Sequence, residues 1–233
     1  MTLILIRHPQ TVLPAGICYG RMDVPLVGWK SACAFHLALR QDGGRRFAFP
    51  PYECWSSPAV RCTDVARAIG SAYGIEVHTD PRLLELDFGD WEGVAWSDVP
   101  RAELDCWAGD VVGFAPPNGE SGASLIERVT AFHAGLRGCN IVVSHGGPLR
   151  VLAALAEGRP VDLSVPAPAL GSVQVFPSGR GGDAEDDALR EHFRGAQDIA
   201  GVAADLPPGG VSEKRCARDD ADDAEGCGPQ QGR

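Results

Sequence analysis

The chain has 233 residues, a hydrophobic fraction of 44% and a formal net charge of −10. It is long enough for one large domain with a full core, and its negative charge argues against nucleic acid as the main partner, because nucleic-acid binding depends on neutralising phosphates. No stretch approaches the roughly 20 apolar residues of a membrane span, and the short apolar run near the N-terminus cannot form a signal-peptide core, so we expect a cytoplasmic protein without a membrane partner.

The chain contains eight cysteines, which are scattered along its whole length. They form no C-x-x-C pair and show no zinc spacing, so they do not predict a metal site. A disulfide framework is not expected without a secretion signal. We interpret the cysteines as small core residues, with free thiols near the C-terminus.

Strand and helix patterns alternate from the N-terminus onward. A short apolar run is typical of a buried strand. Proline is favoured in the first turn of a helix, so Pro58 is expected to open one. The predicted elements of this part are a strand at 3–6, a loop at 16–26, a helix at 29–39, a strand at 53–56, a helix at 58–73 and a strand at 75–78.

The alternation continues after an irregular segment at 81–93. Ser124 and Glu127 match a capping box, which predicts that a helix begins at Ser124. The elements predicted here are a short helix around 97–107, a Pro/Gly loop at 114–119, a helix from 124 to about 136, a strand from 141, a helix at 148–157 and a last strand at 173–176.

This alternation predicts an α/β fold, a three-layer sandwich with a mostly parallel central sheet and helices on both faces. The composition changes after residue 176. We therefore assign residues 1–176 to one domain and residues 177–205 to an extension of that domain, whose secondary structure the pattern leaves open. Residues 206–233 contain few apolar side chains and are predicted to be a disordered acidic tail.

Two of the predicted strands end in histidine. Arg7 and His8 directly follow the first strand, and His145 follows the strand that begins at 141. Open α/β sheets bind ligands at the carboxyl edge, so both imidazoles are expected to face one pocket. A phosphate fits this pocket better than a metal ion, because Arg7 would repel a cation but matches phosphate oxygens. An imidazole can also attack phosphorus and form a covalent intermediate.

Other residues near the same edge favour phosphate as well. Gly146 and Gly147 allow the backbone to approach a ligand closely, and Pro148 is expected to start a helix whose N-terminus attracts anions. Arg61 is predicted one turn into the helix that follows another strand, so it can reach the same edge. Phosphoryl transfer depends mostly on positioning and charge stabilisation, which such groups supply.

A leaving alcohol also needs a general acid. Segment 83–93 holds four acidic residues. Glu85 lies among leucines, where desolvation is expected to keep its proton available. Glu92 is the alternative donor, and the residue pattern alone does not separate the two.

Four short motifs therefore occur in order between residues 3 and 176. They are Leu5-Ile6-Arg7-His8, Ser57-Pro58 with Arg61, Glu85 with the following Gly89-Asp90-Trp91-Glu92-Gly93, and Ser144-His145-Gly146-Gly147. As a set they resemble the histidine phosphatase superfamily, whose fold is phosphoglycerate mutase-like. The resemblance implies an enzyme that needs no metal or other cofactor and acts on a small phosphorylated substrate.

The resemblance also implies a role for each residue. His8 would be the nucleophile that becomes phosphorylated, and Glu85 would be the proton donor in preference to Glu92. The other residues would bind the phosphoryl group or the substrate: the side chains of Arg7, Arg61 and His145, the backbone N–H of Gly146, and Thr11, which stands where the family has Ser or Thr.

One residue departs from the family pattern. Pro9 replaces the usual glycine after the nucleophile, and the missing N–H is expected to weaken phosphate binding. The loop at 16–26 resembles that of α-ribazole phosphatases, a branch that includes variants with proline after the histidine. The resemblance thus implies hydrolysis of α-ribazole 5′-phosphate in cobalamin biosynthesis, with Arg21 as a further substrate contact. The alternatives are a broad-specificity sugar-phosphate phosphatase, a phosphoglycerate mutase, or a binding module without turnover.

Two expectations concern residues outside these motifs. Trp91, Trp96 and Trp107 are expected to pack in a core or lid, and Arg150 is expected to pair with another charge on its helix face. No sequence pattern indicates an oligomeric state.

Overall fold

The computed structural model describes residues 1–27 and 52–177. Their strands form one five-stranded sheet in the order β3-β2-β4-β1-β5. The pairs β3–β2, β2–β4 and β4–β1 are parallel, and β5 runs antiparallel to β1. The predicted α/β fold with a mostly parallel sheet is confirmed. The strands are β1 (Thr2–Arg7), β2 (Tyr52–Ser56), β3 (Val77–Thr79), β4 (Cys139–Ser144) and β5 (Val173–Phe176).

Helices cover both faces of the sheet. On one face, Val65, Ala66 and Ile69 of the first helix pack against Ile4 and other inward side chains of the strands. On the opposite face, two later helices pack against alternate strand residues such as Leu5. Each large aliphatic side chain buried in this way contributes about 1.5–3 kcal/mol to stability. The helices of the described residues are α1 (Val60–Tyr73), α2 (Arg101–Gly109), α3 (Gly122–Gly135) and α4 (Gly146–Ala156).

Three predicted helix starts were wrong by two residues. The hydroxyl of Ser121 accepts the N–H of Ser124 at 3.2 Å, so Ser121 is the N-cap of α3 and Ser124 is not. Helix α1 begins at Val60, because Ala59 is still extended. Helix α4 begins at Gly146, and Pro148 occupies its third position, where no backbone N–H donor is required.

The segment between β3 and α3 forms a cover of aromatic side chains. Trp96 and Trp107 are stacked with ring centroids 5.8 Å apart, and Trp91 stacks on Phe114 at 5.9 Å. The predicted packing role of the three tryptophans is therefore confirmed. Two short 3-10 turns, Pro81–Leu83 and Gly89–Trp91, shape the segment predicted to be irregular.

Some predictions lie outside the described residues: the helix at 29–39, the tail at 206–233 and nearly all of the extension at 177–205. The five cysteines that can be described are free thiols. None of the helices in the described ranges is long and apolar enough to cross a membrane.

Candidate active site

The sheet register brings the two predicted histidines together. Arg7 at the end of β1 pairs with Ser144 at the end of β4, so the next residues of both strands lie side by side. The rings of His8 and His145 are 5.1 Å apart between centroids and meet edge to face at 66°. Both side chains are buried, at 2% and 0% exposure. Adjacent parallel strands therefore place both imidazoles at one carboxyl edge.

The hydrogen bond of His8 determines which ring nitrogen is free. Nδ1 lies 2.7 Å from the carbonyl oxygen of Pro9, which can only accept, so Nδ1 carries the hydrogen and Nε2 keeps its lone pair. Burial lowers the pKa of His8 from 6.5 to about 3; the Pro9 hydrogen bond raises it, and Arg61 and Arg7 lower it further. His8 is thus a neutral imidazole with an available nitrogen. Pro9, predicted only to remove an N–H, also supplies the carbonyl that fixes this tautomer.

His145 is held in the opposite tautomer. The Nε of Arg61 donates to Nδ1 of His145 at 3.3 Å, so the ring hydrogen is on Nε2, which donates to the hydroxyl of Ser57 at 2.7 Å. Burial is the main cause that lowers the pKa of His145 well below its usual value, and Arg61 and His8 add to it. His145 is therefore a neutral imidazole next to His8, with Nε2–H bound to Ser57 and Nδ1 bound to Arg61. We name Ser57, Arg61, His8 and His145 the histidine corner.

Arg61 is fully buried at 0% exposure. Its Nη1 donates to the carbonyl of Met22 at 2.8 Å and its Nη2 to that of Gly20 at 2.6 Å. One N–H on each of these nitrogens remains for another acceptor. Arg61 thus has two roles: it places a positive charge at the site, and its hydrogen bonds link the loop at 20–22 to His145. Sequence reasoning missed this second role, because backbone carbonyl acceptors have no residue signature.

Arg7 lies over the N-terminus of α4. Its Nη1 donates to the carbonyl of Pro168, and its buried Nε has no hydrogen-bond partner. A Cβ at Gly146 would come within 3.4 Å of the Arg7 guanidinium carbon and 3.0 Å of Ala167. Gly146 was predicted to let a ligand approach the backbone closely, and in the structure it lets the Arg7 guanidinium group approach.

Glu85 is bound to the same helix N-terminus. The N–H of Gly147 donates to both carboxylate oxygens, at 3.0 and 3.2 Å, and the N–H of Leu86 donates to Oε1 at 3.0 Å. A Cβ at Gly147 would lie only 2.3 Å from Oε1, so the position requires glycine. These contacts hold the carboxyl group at the edge where Arg7 lies.

The alternative carboxylate has a different surrounding. Glu92 accepts the backbone N–H groups of Arg21 at 2.7 Å, Met22 at 2.5 Å and Phe88 at 3.2 Å. Its oxygens are occupied in joining two loops. Glu85 lines the cavity described below and Glu92 does not, and the assignment of Glu85 as proton donor stays a prediction.

Two residues predicted to contact substrate are engaged elsewhere. The exposed guanidinium group of Arg21 pairs with Asp87 at 3.4 Å and with Glu120 at 3.3 Å. Thr11 is buried, and its backbone forms an isolated β-bridge with Leu26. Neither lines the cavity described below, and their substrate contacts stay predictions.

Arg128 was not predicted, yet it organises the segment of Glu85. It binds both oxygens of Glu120 at 2.7 and 2.9 Å. Its remaining N–H groups donate to the carbonyls of Arg82, Leu84 and Glu85 at 2.7–3.0 Å. All five guanidinium hydrogens are thus in use. The only feature of the sequence that could have indicated this role is that an arginine lies between the buried helix positions Leu125 and Val129.

A cavity of about 220 Å³ adjoins this edge, and we name it the aromatic cavity. Its polar side chains are Arg7, Glu85 and Arg150, and its apolar ones include Phe88, Trp96, Trp107, Val111, Leu125 and Leu163. The expected charge pairing of Arg150 on its helix face was wrong, because its Nη1 donates to the carbonyl of Leu163 at 2.9 Å. Within the described ranges, Arg150 forms no ion pair.

The same ranges contain no group of three side chains that could hold a metal ion.

Comparison with known proteins agrees with this geometry. The sequence model for the histidine phosphatase superfamily (branch 1) matches residues 3–177. A glucosyl-3-phosphoglycerate phosphatase from Mycolicibacterium vanbaalenii is 33% identical over 181 residues, covering 69% of this chain and 76% of that protein. A bifunctional protein from Mycobacterium tuberculosis is 32% identical over 165 residues, and the match spans 66% of this chain but only 43% of that protein.

Solved structures show the same similarity. The α-ribazole phosphatase from Shigella flexneri has a TM-score of 0.65 and 28% identity, covering 75% of this chain and 89% of that structure. The family model covers most of the chain, and its range contains every site residue predicted above. This chain therefore belongs to the histidine phosphatase superfamily, branch 1.

Proposed function

We propose that this protein hydrolyses a small phosphomonoester in two steps through a phosphohistidine at His8. The observation that carries the proposal is the His8 imidazole, buried, neutral and fixed by Pro9 with Nε2 free. A neutral imidazole needs no prior deprotonation to act as a nucleophile. Arg7, Arg61 and His145 surround it with donors suited to phosphoryl oxygens.

In the first step, the lone pair of His8 Nε2 forms a bond to phosphorus while the ester P–O bond breaks. Glu85 gives its proton to the leaving oxygen, so the alcohol departs neutral. The free N–H groups of Arg61 stabilise the charge on the phosphoryl oxygens, and the Nε2–H of His145 joins them by exchanging its bond to Ser57 for one to a phosphoryl oxygen. Glu85 is left as a carboxylate.

In the second step, water attacks the phosphohistidine. The Glu85 carboxylate takes a proton from that water, the P–N bond breaks, and its electron pair returns to Nε2. Inorganic phosphate leaves, and both His8 and Glu85 regain their starting states. One carboxyl group thus serves first as acid and then as base, so no second titrating group is required.

Phosphate labelling tests this mechanism directly. Brief incubation with a ³²P-labelled phosphomonoester is expected to leave acid-labile label on the wild-type protein and on H78Q, whose imidazole lies away from the site. H8A is expected to acquire no label and to release no phosphate. Full activity of H8A would contradict the proposal.

The substrate proposed from the sequence is α-ribazole 5′-phosphate, an intermediate of cobalamin biosynthesis. Two observations support it, the loop at 16–26 and the aromatic rings of Phe88, Trp96 and Trp107, against which a planar base could stack. The Shigella relative is named for the same activity.

A second candidate is a phosphatase of a carboxylated sugar phosphate, such as the glucosyl-3-phosphoglycerate for which the mycobacterial relative is named. The observation that favours it is Arg150, a cation in the cavity without a carboxylate partner among the described residues. A panel of α-ribazole 5′-phosphate, glucosyl-3-phosphoglycerate, 3-phosphoglycerate and sugar phosphates separates these candidates. Isomerisation of 3-phosphoglycerate instead of phosphate release would indicate a mutase. Binding without any turnover would indicate a non-catalytic module.

A further inference from the structure

The aromatic cavity has more positive than negative charge. Arg7 and Arg150 line it, and Glu85 is its only carboxylate among the described residues. In the proposed first step Glu85 holds a proton, which leaves two guanidinium groups and no anion in the cavity. A phosphoryl group would engage Arg7, whose side chain lies next to Gly146. Arg150 then has no carboxylate beside it in the cavity wall, since Asp162 acts on it from outside the cavity and forms no ion pair with it among the described residues.

The hydrogen bonds of Arg150 are incomplete. Its Nη1 donates to the carbonyl of Leu163 at 2.9 Å, while its buried Nε has no partner. A buried polar group without a partner is destabilising, and more so when it belongs to a charged side chain. The buried Nε is closed to a ligand, but Nη2 forms no hydrogen bond with any described residue and is the group of Arg150 that can receive an acceptor in the cavity.

The surroundings of Arg150 link it electrostatically to the site. Burial lowers the pKa of Arg150, Glu85 raises it, Arg7 lowers it, and the exposed Asp162 raises it. The three side chains therefore share one environment. The rest of the cavity wall is mostly apolar, including Phe88 and Leu163, and would strengthen a charge pair by excluding water.

We propose that Arg150 binds a carboxylate on the leaving group and so selects phosphorylated hydroxy acids over phosphoesters with uncharged leaving groups. The guanidinium fork matches a carboxylate geometrically. This inference rests on the proposed phosphatase activity at His8, and of the two substrate candidates above it favours the carboxylated one.

A matched pair of substrates tests the inference. 3-Phosphoglycerate and glycerol 3-phosphate have the same phosphorylated primary alcohol. At the other end, 3-phosphoglycerate has a carboxylate where glycerol 3-phosphate has a hydroxymethyl group. Their kcat/KM values are measured by competition with p-nitrophenyl phosphate for wild type, R150Q, R150K and the control R67Q. Arg67 is an exposed side chain on α1, on the opposite face of the sheet. The ratio of two kcat/KM values on one preparation is independent of how much of the variant is folded.

We expect wild type and R67Q to prefer 3-phosphoglycerate, and R150Q to lose about 10- to 100-fold of that preference. R150K is expected to keep part of it, and R67Q should turn over both substrates as wild type does. An unchanged preference in R150Q overturns the inference. An equal loss for both substrates in R150Q and R150K, with a shifted pH profile, also overturns it, because Arg150 would then act on Glu85 or Arg7. Absence of label on His8 with either substrate would instead remove the proposed function itself.

Discussion

The histidine corner and the aromatic cavity adjoin each other, but their polar groups are used differently. In the histidine corner, His8, Arg61 and His145 are at most 2% exposed, and each has a protein partner that fixes its orientation. In the aromatic cavity, Arg150 bonds only through Nη1, to the carbonyl of Leu163, and its Nη2 forms no hydrogen bond with a described residue. The first region is organised before any ligand arrives, and the second is completed by the ligand.

This difference separates chemistry from selection. Groups that act on the phosphoryl centre gain from a fixed geometry, because misplacement by about 1 Å can cost on the order of 100-fold in rate. Groups that recognise the leaving group must instead keep bonding capacity for it. The following predictions test this division, beginning with the largest expected effect.

Glu85 lies where the two regions meet, and its loss is expected to have the largest effect. E85Q cannot give up a proton, so hydrolysis of glycerol 3-phosphate should fall by about 10²- to 10⁴-fold. p-Nitrophenyl phosphate, which has a good leaving group, should lose much less. The measurement is kcat for both substrates, with E127Q on the exposed side of α3 as control. Equal losses for both esters would show that Glu85 is not the acid.

The close approach of Gly147 to Glu85 gives the next effect. In G147A the new Cβ would lie 2.3 Å from Oε1, so the carboxyl group must move and turnover should fall about 100-fold. The control is G135A in α3, where a Cβ meets nothing within 4 Å and activity should not change. Unimpaired turnover by G147A would mean that the position of Glu85 is not restrictive.

The buried imidazole of His8 makes stability depend on pH. Its pKa is about 3 in the folded protein against 6.5 ordinarily, so between these values the unfolded chain binds a proton that the folded chain does not. The free energy of unfolding therefore decreases as pH falls, by about 2 kcal/mol from pH 7 to pH 5 for His8 alone. Urea unfolding of wild type and H8Q at both pH values measures this. H8Q should show the smaller decrease, and equal decreases would contradict a neutral buried His8.

The aromatic wall of the cavity should have the smallest effect. W107A removes a ring that stacks on Trp96, so KM for phenyl phosphate should rise about 2- to 10-fold more than KM for glycerol 3-phosphate. The turnover number for both esters should change little, because the histidine corner is untouched. A large fall in kcat would show that the two regions are not separable.

The sequence predicted the fold and the position of the histidines well, for local reasons. Apolar runs identify the strands, and His8 and His145 follow two of these runs directly. Once both strands are parallel neighbours, their next residues must meet at one edge. The helix starts were less predictable, since Ser121 and Ser124 are both suitable caps and only the bond between them shows which one serves.

The sequence by itself determined which residue types lie at the carboxyl edge and that they suit phosphate. Only the tertiary structure decided what each of them binds: Arg61 the carbonyls of Gly20 and Met22, Glu92 the backbone of two loops, Arg128 the segment of Glu85, and Arg150 the carbonyl of Leu163. The physical reason is that these partners are backbone groups, which every residue carries. A backbone carbonyl leaves no mark in the sequence, and its position becomes known only when distant segments pack together.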